Sequence, residues 1–292
     1  MSRINRATCI GSIAIFLWGT LALLTALTGG KIPPFQLMSM TFTVAFLLMS
    51  LRWWLQGHFG TRYLCQPPTA WLLGVGAYFG YHYMYFEAMN RAPAAEVSML
   101  AYLWPLLIVL FASLRPGGKL RTQLILGALL ALFGCWLLIG KAGMGFNAQH
   151  FPGYLLALSC AFIWSSYSVA GRTIKTVPTD AVGWVCAVTA LLALVCHLLL
   201  ESTIWPESSI QWVGVLGLGL GPVGIAFFVW DHGIKHGDVS LLGVLAYSAP
   251  LISVLLLVLA GITQPSWAIA FASLAIIGGS LMAGLSNRRQ ST

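Results

Sequence analysis

The sequence predicts an all-α polytopic membrane protein, with ten transmembrane helices built as two inverted five-helix repeats and both termini in the cytoplasm. Three observations carry this. Of 292 residues 59% are hydrophobic and 8% charged, and mean hydropathy is +0.86, too little polar surface to cover a soluble globule of 31.5 kDa. Apolar runs of roughly 20 residues, the length a helix needs to cross hydrocarbon, recur between charged or Pro-rich breaks. Finally, AYLWPL (101–106) and AYSAPL (246–251) share Ala-Tyr-x-x-Pro-Leu at an offset of 145, half the chain.

The breaks place the spans near 7–28, 35–52, 69–89, 94–113, 122–140, 152–171, 180–200, 209–231, 239–261 and 266–285. The first lacks a small-residue cleavage site and exceeds a signal-peptide core, so it is expected to be retained. The second follows Pro33 and ends at Arg52. The third carries GVGAYFG (74–80), then a face of Tyr78, His82 and Tyr85 at i, i+4, i+7, and ends at Glu87 and Arg91. Glu96 opens the fourth, where an acid complements the helix dipole, and Pro105 interrupts it. Gly134 lies in the fifth and Trp164, in AFIWSSY, in the sixth. Pro178 precedes the seventh, which carries His197 near its end. The eighth contains GVLGLGLGPVG (214–224) and closes on Asp231 and Lys235. Asp238 opens the ninth, interrupted by Pro250, and Gly279 lies in the tenth.

Alternating these spans across a bilayer predicts where Lys and Arg fall. With the N-terminus inside, the inner segments hold Arg3, Arg6, Arg52, Arg62, Arg115, Lys119, Arg121, Arg172, Lys175, Lys235, Arg288 and Arg289, twelve of the 15; the outer segments hold Lys31, Arg91 and Lys141. A miscounted helix would scramble this partition downstream of the error. The net charge of +8 then follows from orientation and anionic inner-leaflet lipid, with no role for nucleic acid. The six Cys form no C-x-x-C pair and lie mostly in spans, so neither disulfide, metal nor other cofactor is expected. The expected partners are the bilayer and a small-molecule substrate, with the chain a monomer or weak homodimer.

The 145-residue offset also pairs Pro33 with Pro178, Gly74 and Gly76 with Gly219 and Gly221, and Gly134 with Gly279. Residues 1–146 and 147–292 are therefore read as copies. Five spans is an odd number, so the second copy enters the membrane from the opposite side. Two nearly equivalent halves that exchange conformations turn an outward cavity into an inward one; duplication that merely builds a stable bundle is the alternative. Pro105 and Pro250 are candidate hinges, because each removes an N–H and weakens the helix one turn upstream. The G-x-x-x-G pairs at Gly76–Gly80 and Gly217–Gly221 predict close helix contact.

Trp53, Trp54, Trp71, Trp184, Trp205, Trp212 and Trp267 fall at span ends, as headgroup anchors do, but Trp18, Trp104 and Trp164 fall mid-span, where an indole N–H wants an internal partner. A midplane cavity walled by Trp18, Tyr78, His82, Tyr102, Trp104, Trp164 and Tyr247 is expected, suited to flat rings; ordinary aromatic packing is the alternative. Tyr102 is too far round from Trp104 for both to point squarely inward. Glu87 with Arg91 and Asp231 with Lys235 are i, i+4 ion pairs at opposite mouths, readable as gate latches or as solvated helix ends. An enzyme fits poorly, since no H-E-x-x-H, G-x-S-x-G or paired mid-span carboxylates occur, and no ring of like polar groups suggests a channel.

The ten spans, the five-plus-five repeat, AFIWSSY (161–167) and above all EVSMLAYLWPLLIVLFA (96–112) resemble the drug/metabolite transporter superfamily, and within it exporters of aromatic amino acids. The resemblance covers essentially the whole chain and implies a basket-like bundle in the bacterial cytoplasmic (inner) membrane that exports Phe, Tyr and Trp, with Tyr102, Trp104 and Trp164 matching the family's aromatic cavity motifs. Two departures narrow it. LRPGGKLR (114–121) and AGITQPSW (260–267) stand where many members carry a Gly-Glu-Arg-like motif, and IFLWGTL in the first span lacks the acid with which small multidrug relatives hold an organic cation.

Overall fold

A computed structural model describes residues 3–115, 121–139 and 147–288, with side chains as far as Ala283. Lys119, Lys141 and Arg289 of the charge partition, and the predicted boundary at residue 146, lie outside the described residues. Among the described residues, eight helices are long and apolar enough to cross a membrane: α1 (Arg3–Leu27), α2 (Pro34–Leu55), α4 (Ala94–Ser113), α5 (Thr122–Ile139), α6 (Ala148–Ala170), α7 (Thr179–Leu200), α8 (Ser209–His236) and α9 (Val239–Leu259). In α3 (68–89) the run YHYMYFE offsets the Leu and Val, and α10 (Trp267–Arg288) is apolar over Trp267–Ala283, the part whose side chains are described.

Local chemistry explains where these helices start. Pro34, Pro68 and Pro152 sit in first turns, where a missing N–H costs nothing. Asp238 caps α9, its Oδ1 accepting from Leu241 N at 3.0 Å, and Ser208 likewise accepts from Gln211 N at the start of α8. Glu96 lies in the first turn of α4, as expected, and its carboxylate also accepts a hydrogen bond from the Tyr154 hydroxyl of α6. The α2 N-terminus takes its carboxylate from another helix: Glu201, just beyond α7, accepts from Phe35 N at 2.9 Å and Gln36 N at 3.0 Å.

Helix α1 is interrupted at Thr20, and four further helices are irregular at matched positions. Helix α4 breaks at Tyr102–Leu103 and α9 at Ala246–Tyr247, each one turn before its proline. Pro105 and Pro250 cannot donate to the Ala101 and Ala246 carbonyls, and the chain tightens there, Leu103 N bonding to Leu100 O and Tyr247 N to Val244 O, both at 3.2 Å. Helices α3 and α8 each widen into a single π turn, at Gly76–Gly80 and Gly221–Ile225, again 145 residues apart.

The packing repeats the same pairing. Against α2, helix α7 runs antiparallel: Glu201 beyond its C-terminus caps the start of α2, while Arg52 near the end of α2 reaches Asp180 at the start of α7, 3.2 Å away. Helices α5 and α10 also cross antiparallel, at a seam of small residues. A Cβ on Gly127 would lie 2.6 Å from the Gly279 carbonyl, and one on Gly134 would lie 2.8 Å from the Ala272 carbonyl. Each contact is the 145-residue image of the other.

The G-x-x-x-G expectation is corrected in part. Nothing lies within 4 Å of a Cβ built on Gly76 or Gly80, and only Leu17, at 3.8 Å, near one on Gly221; these three belong to the π turns rather than to a contact. Close approach occurs at Gly74 against Val185, Gly217 against Leu24 and Gly219 against Val44.

The seam makes a discriminating prediction. Gly279→Ala presses a methyl on the Gly127 carbonyl, and backbone against backbone cannot yield, so a loss of about 1–3 kcal/mol is expected. Gly278→Ala next to it meets only Leu130, at 3.7 Å, and is expected to be neutral. Thermal unfolding of the two variants in detergent measures the difference.

Candidate functional site

Three of the seven predicted ring-bearing residues meet as mid-span indoles. Trp18 of α1, Trp104 of α4 and Trp164 of α6 contact one another edge to face, with centroids 5.6 to 6.4 Å apart. That geometry sets the electropositive edge of one ring on the electron-rich face of the next. Trp104 sits where α4 restarts after its break, so the proline that interrupts the helix also fixes the start from which this indole projects. Trp18 finds its internal partner at the π turn of α8, donating from Nε1 to the Pro222 carbonyl at 3.1 Å. Tyr78 and His82 of α3 close a side of the same cluster. Tyr78 lies 6.2 Å from Trp164, and His82 donates from Nδ1 to the Tyr78 carbonyl at 2.6 Å while its ring meets Phe42.

Tyr102 and Tyr247 go elsewhere. Tyr247 is fully buried where α4 crosses α9, and its hydroxyl accepts from Leu106 N at 3.1 Å. That N–H is one of the donors left without a partner when α4 restarts, so the ring caps a broken helix rather than lining the indole cluster. Tyr102, half-buried, packs against the same second core.

Several members of the cluster were not singled out in the sequence. Trp230 of α8 lies 5.0 Å from Trp18, Phe227 stacks on Tyr78 at 4.3 Å, and Tyr167 of α6 lies 5.5 Å from Trp164. The signal for the first two was the length of α8: the helix runs to His236, five residues past the predicted end, so Trp230 and Phe227 are interior residues one turn apart. Trp54, Trp205, Trp212 and Trp267 are exposed, as the headgroup reading requires, whereas Trp53 and Trp184 are not. Those two stack at 5.4 Å, Trp53 is fully buried, and Trp184 donates to the Gly60 carbonyl at 2.9 Å. Gly60 permits this with φ +71° and no Cβ against the Trp53 ring.

The two predicted ion pairs form and differ in kind. Glu87 and Arg91 pair at 2.6 Å on the surface, where such a contact contributes little. Asp231 and Lys235 pair at 2.8 Å with their side chains 3% and 2% exposed, which overturns the solvated-end alternative for this pair. Asp231 also accepts from Tyr167 at 3.1 Å and Thr179 at 2.7 Å, Lys235 donates to the Val177 carbonyl at 3.0 Å, and the Tyr167 hydroxyl stands 3.2 Å from that of Tyr78. A continuous polar thread thus runs from the ring cluster to a buried ion pair. It borders a narrow cleft of about 30 Å³, walled by α3, α6, α7 and α8.

Comparison with known proteins gives this arrangement a family. The model of the EamA-like transporter family matches the chain twice, over residues 5–140 and 151–285. An aromatic amino acid exporter, YddG, of Ancylobacter novellus is 50% identical over 291 residues, covering 99% of this chain and all of that one. The aromatic amino acid exporter YddG of Salmonella typhimurium is 30% identical over 98% of this chain and 99% of its own. A solved crystal structure superposes with a TM-score of 0.91 at 49% identity, over 98% of this chain and 100% of the other. Biotin transporters of enteric bacteria match over 55% of the chain at 26–28% identity. Two family matches across nearly the whole length, with a half-identical relative aligned end to end, establish that the chain belongs to the EamA-like transporter family of the drug/metabolite transporter superfamily.

Proposed function

We propose that this protein exports aromatic amino acids across the bacterial inner membrane by alternating access. The observation that carries this is the joint one of a full-length, 50% identical relative named as an aromatic amino acid exporter and a mid-bundle cluster of four indoles drawn from α1, α4, α6 and α8. Four elements that each contribute one flat ring form a receptor whose faces and edges suit another flat ring. The drug-export alternative is less well supported: a cationic drug requires a counter-charge, and the acid nearest the rings, Asp231, is already paired with Lys235.

Ten spans in two inverted five-helix repeats, at 1–146 and 147–292, supply the mechanism. Supporting the repeat are the twin family matches and the paired irregularities; supporting inversion are the antiparallel α2–α7 and α5–α10 crossings. Cytoplasmic termini are supported by the Lys and Arg partition and by its clustering at one end of the bundle. There Arg52 reaches Asp180, Arg115 reaches the Val169 carbonyl and Arg172 the Gly237 carbonyl, whereas Arg91 neighbours His150 at the other end. In this reading Pro105 and Pro250 are hinges, Glu87–Arg91 is an outer latch and Asp231–Lys235 an inner one.

Two experiments test it. Purified protein in liposomes is expected to move labelled phenylalanine and tryptophan down a gradient, and Trp104→Ala to reduce that flux roughly 10-fold, since Trp104 contacts three other indoles and about 1.4 kcal/mol corresponds to tenfold. Trp54→Ala, on the exposed surface, is the control expected to leave flux intact; no flux in the unaltered protein overturns the proposal. For the hinges, Pro250→Ala restores the missing N–H and straightens α9, so the maximal counterflow rate is expected to fall while the half-saturating phenylalanine concentration holds. An unaltered rate would remove Pro250 from the moving parts.

A further inference from the structure

The polar thread that leaves the ring cluster ends on two charges held with unequal firmness. Taking an acid and a base out of water is costly unless their remaining lone pairs and protons are also satisfied. Asp231 is gripped from three directions, by Tyr167 of α6, Thr179 at the start of α7 and Lys235 of its own helix. Lys235 carries its ammonium on a flexible four-carbon stem and has the Val177 carbonyl beside Asp231 as its partners. The carboxylate is therefore fixed and the ammonium is the movable half. Both line the cleft, whose wall toward the indoles is Tyr78 and Tyr167, and Tyr78 stacks on Phe227 within the ring cluster.

We infer that Asp231 and Lys235 read the head group of the transported amino acid. Its ammonium takes the place of Lys235 on Asp231, its carboxylate draws the Lys235 ammonium away from Asp231 and Val177, and its side chain passes Tyr78 toward the rings. This rests on the reading of the chain as an amino acid exporter. The charges select for zwitterions: an aromatic amine would pair with Asp231 but leave Lys235 beside a second cation, and an aromatic acid would pair with Lys235 but strand Asp231. Either outcome leaves a buried charge uncompensated, whereas a zwitterion satisfies both ends at once. With no substrate present the two side chains satisfy each other and tie α8 to the linker ahead of α7, so the cleft stays narrow when there is nothing to carry.

The test is counterflow of labelled phenylalanine in liposomes, with unlabelled phenylalanine, phenethylamine and 3-phenylpropionate as competitors. In the unaltered protein phenylalanine is expected to compete at least about 10-fold better than either singly charged analogue. Lys235→Gln leaves an unpaired acid and is expected to shift preference toward phenethylamine; Asp231→Asn leaves an unpaired base and is expected to shift it toward 3-phenylpropionate. Ligand-dependent thermal shifts read the same preferences where transport is lost. The double variant Asp231→Asn with Lys235→Gln removes both charges, a change buried pairs tolerate, and is expected to stay folded and lose discrimination among the three. One order of preference shared by the unaltered protein and all variants overturns the inference while leaving phenylalanine export standing. An unaltered protein that does not exchange phenylalanine overturns the export reading and this inference with it.

Discussion

Hydrocarbon offers a backbone no water to bond with, so every departure from a regular helix must be repaired from within the protein. This chain departs at two proline breaks, at two π turns and at Thr20 of α1, and at the first four, aromatic side chains do much of the repair. Trp18 donates to the Pro222 carbonyl in the π turn of α8, His82 to the Tyr78 carbonyl in that of α3, and Tyr247 accepts from Leu106 N where α4 restarts. The rings that fill the middle of the bundle are thus also the polar groups that let its helices be irregular. Ring packing and backbone repair cannot be separated at Trp18 and His82, which is why the π turns and the ring cluster lie together.

Duplication distributes that arrangement between two halves without making them equal. The π turns and proline breaks recur at the same offset, yet their surroundings differ. Tyr247 caps a broken helix while its counterpart Tyr102 lies half-buried against the second core, and Glu87–Arg91 pairs on the surface where Asp231–Lys235 is buried in a network. Matched backbone irregularities thus carry unmatched side-chain partners.

Most of the fold was legible because the membrane makes it so. Span lengths, the Lys and Arg partition and the Ala-Tyr-x-x-Pro-Leu duplicate each reflect a constraint acting on single helices. The site was legible only where depth decided it. Trp18, Trp104 and Trp164 stood out because a mid-span indole has no headgroup to meet. Trp230 and Phe227 were obscured by an end placed at Asp231, since a charged residue usually marks a helix leaving the bilayer; here Tyr167, Thr179 and Lys235 keep that charge satisfied in the interior, which no single-helix pattern records. Rotation about the helix axis was equally hidden: Tyr102 and Tyr247 sit at the right depth and face another core. Trp53 went astray for a related reason, as a span-end residue sheltered by the turn at Gly60.

The glycine seam between α5 and α10 has a mechanical meaning. With carbonyls pressed where side chains would otherwise stand, neither helix can spin or slide on the other without collision, so this pair forms a keel rather than a moving part. The proline breaks, the π turns, the indoles of the cluster and the interior salt link all lie in other helices, apart from this tightest of backbone contacts.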